Sequence, residues 1–98
     1  MLTRDAVMQV MSKVTHPEID YSLVDLGMIK DVSTEEDRMT IILNLPSLEV
    51  PVRDLLARLV KEAVAHVDAT SQAEVQFAEM SEQERREFMR KAREKWKS

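Results

Sequence analysis

The hydrophobic period of the chain switches from two to about 3.6 and back to two between residues 39 and 77, and this switch restricts the fold more than any other feature. In Met39-Thr-Ile-Ile-Leu-Asn-Leu45, residues Met39, Ile41, Leu43 and Leu45 point one way and Thr40, Ile42 and Asn44 the other, which is the signature of a strand. Val52, Leu55, Leu56, Leu59, Val60, Ala63, Val64 and Val67 then trace one face of a helix. That helix is expected to be the main core element, and on this pattern Leu59→Ala carries an expected cost of about 2–5 kcal/mol. Ala73, Val75 and Phe77 alternate with Gln72, Glu74 and Gln76 as a third strand. A strand–helix–strand order allows the third strand to lie parallel to an earlier one through a crossover.

The flanking segments complete the pattern. Ala6, Val7, Val10, Met11 and Val14 share one face of a helix over residues 3–14, with Thr3 as its N-cap. His16 before Pro17 is expected to end that helix, because a residue preceding proline is pushed out of the α region. Residues 17–27 form a carboxylate-rich connection ending at Gly27, the only glycine, where a positive φ or close packing is expected. Met28–Ser33 reads as a strand joined to Met39–Leu45 by the polar turn Thr34-Glu35-Glu36-Asp37, which is too short for anything but an antiparallel hairpin. Pro46 and Pro51 bracket a loop, with Pro51 suited to the first helical position. Ser81-x-x-Glu84 is a capping box opening a last helix with a thin apolar stripe of Phe88, Met89, Ala92 and Trp96. The expectation is one small α/β (α+β) domain: an α-β-β-α-β core over residues 1–80, then a basic amphipathic helix over 81–98.

Charge separates the same two segments. Residues 1–80 hold seven Lys/Arg against fourteen Asp/Glu, a net of −7, and residues 81–98 hold seven against four, a net of +3. An acidic body is a poor match for nucleic acid, which requires clustered cations. The longest apolar run falls far short of the ~20 residues that span a bilayer. Met1-Leu2-Thr3-Arg4-Asp5 shows no basic segment leading into an apolar one, so no leader is expected. These readings exclude nucleic acid and membrane as partners and place the chain in the cytoplasm. With no cysteine in the sequence, disulfides, thiolate nucleophiles and thiolate metal sites are absent from it.

No catalytic constellation is legible, and no catalytic residue, cofactor or metal site is assigned. There is no nucleophile elbow, and one glycine cannot build a phosphate-binding loop. His16 with Glu18, Asp20, Asp25 and Asp31 is the one cluster with metal-ligand chemistry. Carboxylates around turns more often accept backbone N–H bonds. His66 near the end of the second helix suits the helix dipole, and the seven methionines read as core filler. Phe88, Met89 and Trp96 on a basic helix are the residues best suited to a protein contact, since aromatic residues, Met and Arg are enriched at interfaces.

His16-Pro17-Glu18-Ile19, followed by Leu23-Val24-Asp25-Leu26-Gly27-Met28-Ile29-Lys30-Asp31-Val32, resembles the "DPEI…IVDLGLV.DV" signature of an iron–sulfur assembly accessory family. Its members include SufT, PaaD and the N-terminal domain of Mrp/ApbC-type carriers. The resemblance covers roughly residues 4–79. It implies a small α-β-β-α-β fold, a role in maturing or delivering iron–sulfur clusters through partner proteins, and no defined catalytic reaction. Glu18, Asp25 and Gly27 match the family's scaffold motif. The family has a cysteine just before the proline that starts the second helix, and here Val50 precedes Pro51. A thiol at a helix N-terminus would ionise readily and bind iron, and valine can do neither. The combined expectation is a non-enzymatic adaptor in cluster assembly that acts through protein partners, with a homodimer possible. Two further readings are a diverged structural or oligomerisation domain and a carboxylate–metal enzyme built on His16, Glu18 and Asp25.

Overall fold

A computed structural model describes residues 3–36 and 38–97. Asp37 of the expected turn lies outside the described residues, as do Met1, Leu2 and Ser98 at the ends of the two expected segments. The element order is α1 (Arg4–Met11), β1 (Ile29–Glu35), β2 (Arg38–Leu45), α2 (Arg53–Val67), β3 (Gln72–Glu79) and α3 (Glu82–Lys95). The α-β-β-α-β-α order of the sequence reading is therefore present, as an α+β domain.

The strands form one mixed sheet in the order β1-β2-β3. β1 and β2 are antiparallel, and Glu35 pairs with Arg38. The expected four-residue turn is thus a two-residue one, with Glu36 at φ 55. Tight hairpin connections match strand twist with positive φ at their centre, and non-glycine residues adopt it there at some cost. β3 runs parallel to β2 in unbroken register, from Arg38 opposite Gln72 to Leu45 opposite Glu79.

A register shift between Ile29 and Asp31 makes Lys30 the extra residue of a β-bulge. Ile29 and Val32 are three residues apart and would face opposite sides of a regular strand. The bulge places Ile29 opposite Leu43 and Val32 opposite Ile41, so both join the core face.

That face carries Met39, Ile41, Leu43 and Leu45, all buried, as their alternation predicts. Val7 and Met11 of α1 cover it together with Leu56, Val60 and Val64 of α2. The three α2 residues lie four apart, along one row of the helix surface. Leu55 and Leu59 are only half-buried and lie outside the core cluster. This corrects the expectation for Leu59, because the apolar stripe is wider than the row that touches the sheet.

Two boundaries also differ from expectation. α1 stops at Met11 with Ser12 as its C-cap, well before Pro17. The chain leaves the helix there because residues 14–23 fold into a small antiparallel excursion. Leu23 N–H donates to the Val14 carbonyl (2.9 Å), His16 N–H donates to the Tyr21 carbonyl (3.0 Å), and Thr15 bridges Ser22. α2 begins two residues later than expected, with Val52 as an N-cap that makes no side-chain hydrogen bond, so Pro51 lies outside the helix. Thr3 and the Ser81/Glu84 capping box act as the sequence predicts.

Candidate functional site

The signature segment forms a compact turn. The Ser22 hydroxyl accepts from Asp25 N–H (3.0 Å), Leu26 N–H donates to the Ser22 carbonyl (3.1 Å), and Gly27 N–H donates to the Val24 carbonyl (3.0 Å). Leu23, Leu26 and Met28 point into the core, while Asp25 and Gly27 are exposed. Gly27 has φ +72, and a Cβ built there meets nothing within 4 Å. The positive φ alone, and not close packing, therefore selects glycine. Gly27→Ala is expected to destabilise the fold by about 1–2 kcal/mol, and Gly27→Asn by less, since Asn tolerates this region. Urea unfolding of the two variants checks the order.

α3 holds both halves of the signature. Lys91 Nζ donates to the Asp25 carbonyl. At the other end, Asp20 N–H donates to the Lys95 carbonyl (2.8 Å), Lys97 N–H donates to the Glu18 carbonyl (2.9 Å), and Ile19 bridges Trp96. The Tyr21 hydroxyl donates to the Glu94 carboxylate at 2.7 Å, which raises the phenol's pKa above its ordinary value. Phe88 and Ala92 are buried in the same core as Leu26 and Met28. Among the three residues named for protein contact, Phe88 is thus inside the domain, whereas Met89 (44% exposed) and Trp96 (55% exposed) face solvent.

A crevice of about 350 Å³ lies between the Val24–Gly27 turn and the first half of α3, lined also by Ser81, Glu84, Glu87 and Lys91. Glu84 is held below the usual carboxylate range, first by the Ser81 backbone N–H and next by the Asn44 amide. Arg90 does the same for Glu87. Asn44 is fully buried, and neither atom of its side-chain amide makes a hydrogen bond of normal geometry. Sequence reading gave no sign of this, because Asn44 sits at an ordinary outward position of an alternating strand.

The loop between β2 and α2 meets the same end of the sheet. Arg85 Nε of α3 donates to the Pro46 carbonyl (3.0 Å), and Arg53 Nη1 donates to the Leu48 carbonyl (2.9 Å). Val50 is half-buried, Pro51 is exposed, and Leu48 is 41% exposed.

His16 is buried, and its Nδ1 accepts from Glu18 N–H at 3.0 Å. Burial pushes its pKa below 6.5; Glu18 opposes this and Lys97 adds to it. The unfolded chain therefore binds the proton more readily than the native one, and stability falls as pH drops through and below 6.5. His16→Gln is expected to flatten the fall of the urea midpoint between neutral pH and pH ~5. An unchanged slope would refute this.

The possible metal cluster does not assemble. Glu18, Asp20, Asp25 and Asp31 are all exposed along the segment, and Asp31 is committed to Val32 N–H and to Arg4. Among the described residues, no three His, Asp or Glu side chains converge as a ligand set. His66 is exposed in the last turn of α2.

The family whose model matches this chain, over residues 4–77, is described as iron–sulfur cluster assembly protein. The chain belongs to that family. An iron–sulfur cluster carrier protein of Synechocystis is 32% identical to it over 85 residues, covering 87% of this chain and 24% of the carrier. The Bacillus subtilis Fe-S protein maturation auxiliary factor YitW is 30% identical over 73 residues, covering 74% of this chain and 72% of that protein. The chain spans about a quarter of the carrier's length. A crystal structure of a domain of unknown function, DUF59, from Bacillus anthracis shares the fold. Its TM-score is 0.72 at 20% identity, covering 83% of this chain and 81% of that one.

Family membership bears on clusters as cargo, which a protein binds only if its side chains can ligate iron. Clusters are held mainly by cysteine thiolates, with histidine in some centres. This member has no cysteine, and its two histidines lie on different elements, one of them buried and accepting a backbone hydrogen bond. Its own residues do not fit a cluster.

Proposed function

We propose that this chain serves iron–sulfur cluster assembly as a non-enzymatic adaptor, working through protein contacts without ligating the cluster itself. The observation that carries the reading is the pairing of an intact family scaffold with Val50 where the family resemblance places a cysteine. The names of the carrier protein and the maturation auxiliary factor, both similar to it, support the pathway.

The contact surface in this reading is the outer face of α3. Met89 is exposed on that face, and Trp96, the C-cap, is exposed at the end of the helix. Arg86 and Arg93 lie on the same side, and Arg93 extends the basic last turn. Apolar anchors rimmed by arginines suit an acidic protein surface. None of the helices among the described residues is long and apolar enough to cross a membrane, and we place this adaptor in the cytoplasm.

Two experiments test the reading. The chain should co-purify from its native host with an identified assembly factor or iron–sulfur client, and a Met89→Glu/Trp96→Ala variant should lose that protein while unfolding at the same urea concentration. Recovery of only unrelated proteins, or retention by the variant, would overturn the adaptor role. In anaerobic reconstitution, the purified wild-type chain should remain colourless after desalting. A stable brown product would refute cluster-free action.

A further inference from the structure

The two edges of the sheet are built differently. β1's outer edge is interrupted by the Lys30 bulge. Asp31 occupies the Val32 N–H with its own carboxylate at 2.9 Å and pairs with Arg4 at 3.7 Å. Bulges, lysines and inserted charges are the usual means of preventing strand addition.

β3 has neither bulge nor lysine, and its two charges, Glu74 and Glu79, lie on opposite faces, Glu79 paired with Arg85. Its eight residues run in unbroken register and contain no lysine, proline or glycine. Among the described residues only β2 pairs with it, and no backbone bond outside that ladder reaches residues 72–79. Such an edge is a template for another strand.

β3 read backwards supplies a match for itself. Across an antiparallel pair, opposed residues share a face. With Gln76 opposite its own copy, Val75 meets the partner's Phe77 and Phe77 meets the partner's Val75. On the same face, Ala73 meets the partner's Glu79; on the opposite face, Glu74 meets the partner's Ala78. Half-buried Val75 and Phe77 line the face that α2 covers, and pairs of β-branched and aromatic residues are among the favourable cross-strand contacts. The two glutamates of β3 each face an alanine, and the central glutamines can exchange amide hydrogen bonds.

We propose that the chain forms a two-fold dimer in which β3 pairs antiparallel with β3 of a second copy, centred on Gln76. The dimer extends the three-stranded sheet to a six-stranded one and leaves the outer face of α3 free. It does not depend on the role in cluster assembly.

Sedimentation equilibrium of the full chain, from micromolar to near-millimolar concentration, tests it. The wild type should show a monomer–dimer equilibrium, and Gln76→Lys, which sets two ammonium groups against each other, should weaken it at least tenfold. Gln76 is exposed in the single chain, so the urea midpoint of a dilute sample should be unchanged. Ala78→Lys, opposite Glu74, should tighten the dimer and Ala78→Glu should loosen it. A chain that stays monomeric throughout would overturn the proposal. So would a dimer indifferent to Gln76→Lys, or one that responds to both Ala78 variants with the same sign. An edge reserved for a strand of some other protein would give the first of these results.

Discussion

Leu56→Ala is expected to lower the free energy of unfolding by about 2–5 kcal/mol, and Leu59→Ala by only about 1 kcal/mol. The two leucines are three residues apart on α2 and look equivalent in the apolar stripe. Leu56 is fully buried, in one row with Val60 and Val64, and its truncation leaves a cavity against the sheet. Leu59 is half-buried and outside the core cluster, so its truncation returns apolar surface to water without opening a void. A domain of this size has about 5–15 kcal/mol of total stability, so Leu56→Ala should move the urea midpoint far more than Leu59→Ala. Equal shifts would contradict the packing described for α2.

Phe88→Ala should be as damaging as any core truncation, at about 3–5 kcal/mol. The ring is 7% exposed and shares the core with Leu26, Met28 and Met80. Its loss also loosens the helix whose far end pairs with Glu18, Ile19 and Asp20. Trp96→Ala at an exposed position should cost far less. If α3 were an appendage, Phe88→Ala would leave the urea midpoint almost where it was. A cooperative, strongly lowered midpoint shows instead that the helix folds with the rest.

These two contrasts show where sequence reading reached and where it stopped. The alternation in Met39–Leu45 and Gln72–Phe77 marked two strands and their inward residues correctly, because a strand's period of two leaves only two faces to choose between. The capping box at Ser81 and Glu84 and the N-cap at Thr3 were equally legible, since both depend on residues within three positions of one another. α2 was found by its stripe, but a stripe of eight apolar residues over sixteen positions cannot say which row lies on the sheet.

The candidate site was half legible. Gly27 was singled out as the only glycine, and its φ of +72 supplies the reason. Asp25, Glu18 and Val50 were placed by the family resemblance, not by their own chemistry. The grip of α3 on the signature was invisible, because it joins residues more than sixty positions apart, as between Lys91 and Asp25. Asn44, buried next to Glu84, was hidden for the same reason.

By itself, the sequence determined the element order, the inward face of each regular strand, the absence of thiolate chemistry and the acidic body with its basic end. Each of these follows from local period, residue type or charge, none of which needs a distant partner. Only the tertiary structure decided the Lys30 bulge, the row of α2 that meets the sheet, the burial of Phe88 and the open edge of β3. Those depend on which surfaces meet, and burial against a distant element outweighs the local preferences that a sequence displays.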